Sequence, residues 1–481
     1  MTPRPVAGSP VRRAPRWVAW VVGRAGGLGA QGPVAGGPVR RESRWVARVA
    51  GRAGGLGAQG PVAGSLARRA SRWVARAGGL AGRGLRWVAQ TPGQARPFRP
   101  GSFRSALHDE RPAAWLGIAL GVTFTLCFVT GLLSHLIQHA SLQSQPLFTV
   151  GGWLAWPSRP AGLYRLTQGV HVTAGLATIP LLLVKLFVVY PHLWSWPPVR
   201  GVAHAMERAG LAMLVGGGLF LLLTGAQNVA SWYPWGFFFP TAHYWAAWIT
   251  IGAMVLHIFA KVHITRRVLA GRQPQAEAPP PGEGLTRRGV LAVAGGAAGT
   301  MALVTVGQTF SPLERLALLA PRRPSVGPQG TPVNTTAMRA GTVQAAMDPS
   351  WRLRVGGRVA RELTLSLDDL RALPRREAVL PIACVEGWSA SRRWGGVALR
   401  DVLAMAGAAP EASVRVESLQ RRGLYRASIL SPGHAHDPDT LLALTLEGET
   451  LHIDHGFPVR LIAPNNPGVM QTKWLGAVTV L

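Results

Sequence analysis

Two kinds of side chain in this sequence have the chemistry to hold a metal or a redox group. Cys384, in the stretch PIACVEGWS (381–389), is one of only two cysteines in 481 residues. Two cysteines make no disulfide framework. Cys127 lies inside an apolar run, where a small thiol facing a neighbouring helix or lipid is the simplest reading. Cys384 instead ends the apolar run AVLPIA and precedes a Gly-Trp turn. Chemistry alone leaves it two fates: a buried small residue, or a soft thiolate ligand for a metal. The second kind is histidine in apolar surroundings, namely His135, His171, His243 and His257, with His204 and His263 near the ends of such segments.

The elements that must position these groups follow from hydrophobic patterning. Five nearly uncharged stretches, 113–137, 165–190, 205–229, 242–265 and 289–308, consist mostly of Leu, Val, Ala, Gly and aromatics. Each is long enough to cross a hydrocarbon core of roughly 30 Å. The last, GVLAVAGGAAGTMALVTVG, is rich in small residues and is the weakest inserter. Lys185 is the one lysine in their interior, Lys261 standing near the end of the fourth. Arg200, Arg266, Arg267, Arg272, Arg287 and Arg288 flank one side, and Arg159 stands nearly alone on the other. The positive-inside rule then places the amino terminus in the cytoplasm and everything after the fifth crossing outside. The pair Arg287–Arg288 before an apolar stretch reads equally as a twin-arginine export signal and as an ordinary basic flank.

Net charge is +30 and unevenly spread: the first 105 residues hold 19 arginines against one acid, Glu42. In that region GRAGGLGAQGPVAG occurs at 23–36 and again at 51–64, and RWVA recurs four times. Repeats so rich in Gly, Ala, Pro and Arg have too little large apolar surface to bury a face, so residues 1–105 are expected to be a disordered tail. Nucleic-acid binding would interleave basic residues with stacking aromatics on a folded surface, and no nucleic-acid partner is expected. The division that results is a tail (1–105), a four-helix transmembrane domain (106–272), a linker with a fifth transmembrane helix (273–324) and a globular domain (325–481). In the last, RLRVGG (352–357) and SVRVES (413–418) alternate as half-buried strands do. SLDDLRALP is a short helix capped by Ser366, and ALRDVLAMAG is an amphipathic helix closed by Gly407. Short strands, short helices and many turns indicate an α+β, mainly-β domain.

The segments CVEGWSASRRWGGVALRDVLAMAG, LLALTLEGETLHIDHGFPVRLIAP and QTKWLGAVTVL occur in that order up to the chain end. Together they resemble the sulfite-oxidase superfamily of molybdopterin enzymes over most of 330–481. The resemblance implies that Cys384 ligates molybdenum and that Gly387 lets backbone approach the bulky cofactor. It implies that His455 and Arg460 clamp the pterin and its phosphate, with Gln471, Thr472 and Lys473 closing the phosphate end. Asn334 and Thr335 fall in an early pterin-contacting segment, and Ser418 stands where relatives carry Asp or Thr. Sulfite oxidases proper hold an oxyanion with several arginines and a tyrosine. The residues offered here are Arg392, Arg393, Arg421, Arg422 and Tyr425, and the substrate stays open between sulfite and an S- or N-oxide.

The apolar helices resemble four-helix membrane cytochromes of the b561 type, which implies haem b held between paired histidines. At about 1.5 Å per residue, His135, His171 and His243 all fall in the outer half. His171 with His243 or His135 would bracket one haem. His257 lies about 21 Å deeper than His243, where span two offers Lys185 and the one obvious partner is His204, so a second haem is the weaker expectation. The bland alternative is helix–helix hydrogen bonding by neutral histidine. The reading is a membrane-anchored molybdopterin oxidoreductase passing electrons to or from quinone. It is functionally similar to the bacterial pair of a periplasmic molybdoenzyme and a haem membrane partner that reduces oxidised methionine. A sulfite-type dehydrogenase and a non-catalytic sensor or scaffold are the rivals.

Overall fold

The computed structural model describes residues 107–138, 156–193, 201–271, 285–320 and 322–481. The expected tail, the linker 273–284, Arg200 and Arg272 lie outside these residues.

Five long helices come first: α1 (Glu110–Gln138), α2 (Leu163–Leu193), α3 (Val202–Val229), α4 (Phe239–Leu269) and α5 (Arg287–Val306). Each is long and apolar enough to cross a membrane, with mean hydropathy between 1.6 and 2.2 over its most apolar stretch. They match the five expected spans to within a few residues at each end. Side chains are apolar around the whole circumference, as lipid-facing helices require. Small and hydroxyl residues mark the close approaches. A Cβ on Gly217 of α3 would sit 2.2 Å from Thr250 Oγ1 of α4. Cys127 faces α2, with its Sγ 3.6 Å from the His171 carbonyl oxygen, so it is a helix-facing filler. Arg287, capped into α5 by Thr286, pairs with Asp109 at 2.9 Å and ties the start of α5 to the start of α1.

The carboxy-terminal domain contains ten strands: β1 (Leu353–Gly357), β2 (Leu363–Leu365), β3 (Arg375–Ala383), β4 (Ser389–Ala398), β5 (Val414–Ser418), β6 (Ala427–Leu430), β7 (Leu441–Leu446), β8 (Glu449–Thr450), β9 (Arg460–Ile462) and β10 (Leu475–Val480). Short helices are α6 (Ala337–Ala340), α7 (Val343–Met347), α8 (Leu367–Ala372), α9 (Leu399–Ala406) and α10 (Pro432–Ala435). One sheet has the order β2-β1-β10-β5-β6, with β1 and β10 parallel and the other pairs antiparallel. The other runs β3-β4-β7-β8 and adds β9 on β7. Side chains from both sheets and α9 share one core, including Leu353, Val416 and Val478 from the first and Val397, Leu442 and Leu461 from the second. The α+β reading of this region therefore holds, with the two sheets as its frame.

Local chemistry sets the boundaries. Ser366 Oγ accepts from the Asp369 amide (3.0 Å) while the Asp369 carboxylate accepts from the Ser366 amide (2.8 Å). That reciprocal pair caps α8 where the sequence places it. Gly407 ends α9 at φ +69°, and a Cβ there would lie 2.6 Å from the Ala360 Cβ. On β3 the period of two puts Leu380, Ile382 and the following Cys384 on one face, within an apolar cluster that includes Trp388, Trp394 and Ile462.

The domain sits on one end of the helix bundle. That end consists of residues 156–168 leading into α2, the close of α3 and the turn after α5. Trp156 Nε1 donates to the Asn465 carbonyl (2.9 Å), and Asn465 Oδ1 accepts from the Tyr164 amide (2.6 Å). Arg159 pairs with Asp437 (2.9 Å) and with Asp439. Arg266, Arg267, Arg287 and Arg288 lie at the opposite end of the bundle, where α4 ends and α5 begins.

Candidate active site and histidine cavity

Cys384 stands at the end of β3, 2 % exposed. A tight turn follows it: the Cys384 amide donates to the Trp388 carbonyl (2.9 Å) and the Gly387 amide to the Cys384 carbonyl (3.0 Å). Gly387 adopts φ +100°, a conformation that favours glycine. Its role differs from the expected one. A Cβ there would lie 2.8 Å from Gln308 Nε2 and 2.9 Å from Val172 Cγ1. The glycine admits the helix bundle, because the turn faces α2. Asn334 Nδ2 donates to Cys384 Sγ (2.8 Å), and the Glu386 amide approaches it at 3.5 Å. Burial pushes the thiol up to about 12, with the Glu386 carboxylate adding to the shift. The sulfur becomes a thiolate only if a bound cation holds it so.

The thiol opens on a cavity of about 160 Å³. Every pterin-contacting residue expected from sequence lines it: Asn334, Thr335, Ser418, His455, Arg460, Gln471, Thr472 and Lys473. The strand end, two turns and the loop before β10 thus bring together residues up to 139 positions apart (334 to 473). Arg460, on β9, is buried, lies 5.4 Å from the Trp394 ring and donates from Nη1 to the His455 carbonyl (3.2 Å). Its Nε has no partner, and neither does Gln471 Oε1. Burial brings the Arg460 guanidinium down to about 9. Lys473 Nζ donates to the Thr335 carbonyl (2.5 Å) and the Asp454 carbonyl (3.0 Å). Burial first, and then the nearby Arg460 charge, bring it down to about 7. His455 Nε2 is 2.7 Å from the Pro328 carbonyl oxygen, and burial lowers it to about 4.

Two buried cations, an orphaned guanidinium N–H and a soft sulfur make a site for an anionic, metal-carrying group. Among the described residues, no cluster of three or more His, Cys, Asp or Glu converges. A metal at Cys384 must therefore arrive with most of its donors already attached, and the residues fit a molybdopterin cofactor on that count.

Four expected arginines do not reach this cavity. Arg392 donates to Thr331 Oγ1 (2.8 Å) and the Pro324 carbonyl (2.7 Å), bracing the chain before α6. Arg393 pairs outward with Glu447, and Arg421 and Arg422 are exposed. They belong to solvent-facing or bracing positions on β4 and after β5, so they build no oxyanion cage. Tyr425 does line the cavity. Arg322, which patterning did not single out, pairs with Glu386 at 3.0 Å and donates to the Val333 carbonyl (2.9 Å), fixing the turn beside Cys384. Its partner lies 64 residues away, and no local motif announces it.

The bundle holds a second cavity, of about 220 Å³, lined largely by apolar side chains of α1 to α4. His171 of α2 and His243 of α4 face each other in it, with ring centroids 6.3 Å apart. Two imidazoles on opposite sides of one metal ion, each bonded at about 2 Å, have centroids roughly 6 Å apart. His171 Nδ1 lies 2.9 Å from the Cys127 carbonyl oxygen and 3.2 Å from Thr130 Oγ1. His243 Nδ1 lies 3.2 Å from Thr224 Oγ1. Both rings are thus oriented through Nδ1, the usual outer contact of a metal-bound histidine, which makes Nε2 the nitrogen that would meet a metal. A Cβ on Gly131 would come 3.1 Å from His171 Cε1, so the glycine keeps room for the ring. The pair fits a haem. His135 also lines the cavity but stacks on Tyr244 at 3.9 Å between centroids, and His257 lies outside it.

A sulfur beside a cationic cradle, on a two-sheet α+β frame, suits a cofactor-binding redox domain. The comparisons with known proteins say what it resembles. Residues 340–481 match the oxidoreductase molybdopterin binding domain. Human mitochondrial sulfite oxidase is 35 % identical over 162 residues, which cover 28 % of this chain and 30 % of that protein. A protein of Azospira oryzae, "putative protein-methionine-sulfoxide reductase subunit YedZ1", is 36 % identical over 131 residues, covering 27 % of this chain and 49 % of that protein. The matches thus span half or less of either relative's length. The solved sulfane dehydrogenase SoxCD of Paracoccus pantotrophus aligns with 28 % of this chain and 40 % of its own at 25 % identity and a TM-score of 0.26. Residues 340–481 are thus similar to the molybdopterin-binding domain of oxidoreductases, with sulfite oxidases among the relatives.

Proposed function

We propose that this chain is a membrane-bound oxygen-atom-transfer enzyme, with its carboxy-terminal domain outside the cytoplasmic membrane and haem b in its helix bundle. The observation that carries this reading is a juxtaposition. Cys384 opens on the cationic cavity, and the next residue, Val385, lines the histidine cavity, as does Tyr425, which lines both. Sidedness is supported by the arginines gathered at the bundle end away from the domain.

In the molybdopterin site, Cys384 would bind the metal, Arg460 and Lys473 the phosphate, and Asn334 would hold the sulfur by its hydrogen bond. When bound, the cofactor supplies two-electron oxygen-atom chemistry. His171 and His243 would hold haem iron, which supplies one-electron exchange with a quinone. We take the substrate to be an S-oxide such as oxidised methionine. Its reduction consumes two electrons and two protons and yields a thioether and water, and a quinol releases both on oxidation. Two observations support an uncharged oxide: the name of the Azospira relative, and the fact that Arg460 is the one arginine among the described residues lining the cavity. A sulfite-type dehydrogenase is the second reading, favoured by the mitochondrial relatives. The test is purified protein assayed for molybdenum and for turnover of methionine sulfoxide with reduced viologen, beside sulfite with an electron acceptor. Sulfoxide reduction is the expected result. Sulfite oxidation without it selects the second reading, and folded protein inert to both and unable to take up molybdenum is a scaffold.

A further inference from the structure

The turn that carries Cys384 is held mostly by the helix bundle. Gln168 Nε2, on α2, donates to the Val385 carbonyl at 2.9 Å, and Asn228 Nδ2, on α3, approaches the same oxygen at 3.4 Å. Ser231 donates to Glu386 (2.9 Å), Thr309 Oγ1 to the Gly387 carbonyl (2.6 Å), and the Ser389 amide to the Gln308 carbonyl (2.8 Å).

Two of these contacts share a pattern with the histidine cavity. Gln168 stands one turn before His171 on α2. Its Oε1 accepts from Ser134 of α1 (3.1 Å), one turn beyond the Thr130 that contacts the His171 ring. Asn228 stands one turn beyond the Thr224 that contacts His243. Residues three or four apart share a helix face, so α3 presents Thr224 to His243 and Asn228 to Val385, while α1 presents Thr130 to His171 and Ser134 to the Gln168 that reaches Val385. Gln168 is 5 % exposed and Asn228 9 %, and both line the cavity. Buried amides of this kind are kept where their hydrogen bonds are needed.

We infer that Gln168 and Asn228 are positioning residues that couple the two sites, holding the Val385 carbonyl so that the peptide next to Cys384 is the junction between the histidine pair and the sulfur. This rests on the functional reading above, but the geometric part stands apart from it. The network links α1, α2 and α3 to one carbonyl, so a change in how these helices sit around the histidine cavity reaches the peptide next to the cysteine.

The test uses the full chain in lipid nanodiscs. In cofactor-free protein, backbone amide exchange is followed over 384–389 for wild type, Gln168→Leu and Asn228→Leu, with Asn228→Gln as the conservative replacement. In loaded protein, turnover driven by a quinol is compared with turnover driven by reduced viologen, which feeds electrons from solution. The expected result is at least tenfold faster exchange in Gln168→Leu, a smaller rise in Asn228→Leu that Asn228→Gln reverses, and a fall of at least tenfold in the quinol-to-viologen rate ratio with haem and molybdenum contents retained. Unchanged exchange overturns the positioning role. Faster exchange with an unchanged rate ratio overturns the coupling, because a purely structural loss would slow both assays alike. Chain that binds neither haem nor molybdenum refutes the functional reading, and the exchange data then decide the positioning role alone.

Discussion

The cysteine cavity and the histidine cavity lie next to each other and are built on opposite principles. The first is assembled from turns and strand ends far apart in sequence, and its character is positive charge: Arg460 and Lys473 are buried together, with an orphaned guanidinium N–H. The second is lined mainly by helix faces, and its walls are largely apolar, with His171 and His243 beside hydroxyls that orient them and with His135, Gln138, Gln168 and Asn228 also on the lining. The contrast teaches what each site selects. A cradle of buried cations is incomplete without an anion, whereas a largely apolar slot between two imidazoles suits a flat, apolar group that carries a metal with two open positions.

The largest effects should come from crossing the two sites. Cys384→Ser should lower turnover at least about a thousandfold, equivalent to roughly 4 kcal/mol, while the reduced haem spectrum stays. His171→Ala should do the reverse, removing the haem band while leaving molybdenum content as in wild type. Loss of both signals in either variant would mean that the sites are not separately built.

Arg460→Met sharpens the charge side of the comparison. It should weaken cofactor retention by about 10- to 100-fold, as loss of an outer partner at a metal site does, with haem content unmoved. The cofactor-free form should become more stable, since a buried cation without a carboxylate partner is removed. Differential scanning fluorimetry with and without cofactor reads both changes.

Lys473 gives a pH signature. Burial and Arg460 hold it near 7, well below its ordinary 10.5, with the Asp454 carboxylate opposing and His455 adding repulsion only at low pH. Between about 7 and 10.5 the unfolded chain binds a proton at this site that the folded one does not. The stability of cofactor-free protein should therefore rise with pH across that window. Lys473→Met should flatten the rise. A thermal midpoint that falls over the same range would contradict the burial of an unpaired ammonium.

The smallest effect concerns the helix side. Thr224→Val removes the hydroxyl beside His243 Nδ1 and should loosen haem by about tenfold at most, read by haem transfer to an acceptor protein.

These effects also mark what the sequence made legible. Apolar length and arginine placement located all five helices, and period-two patterning located β1 and β5, because both signals are local. The cofactor-lining residues were legible through the ordered run of motifs from Cys384 to Lys473. What patterning missed spans long sequence distances: Gln168 reaches Val385 over 217 residues, and Arg322 reaches Glu386 over 64. Gly387 was legible as a special position, but the surface it admits, Val172 of α2, belongs to an element with no sequence tie to it. Arg392 and Arg393 misled because an arginine near a cysteine in sequence need not face it across a strand, where successive side chains alternate sides, and Arg421 and Arg422 fall in an exposed segment after β5.

The central claim is that one chain carries both redox sites. Purified protein should be analysed for molybdenum by mass spectrometry and for haem by a dithionite-reduced minus oxidised spectrum, each per chain. The account predicts one molybdenum and one b-type haem in every chain. Full molybdenum occupancy with no haem band, in protein grown with haem in excess, would contradict it and reduce the bundle to an anchor.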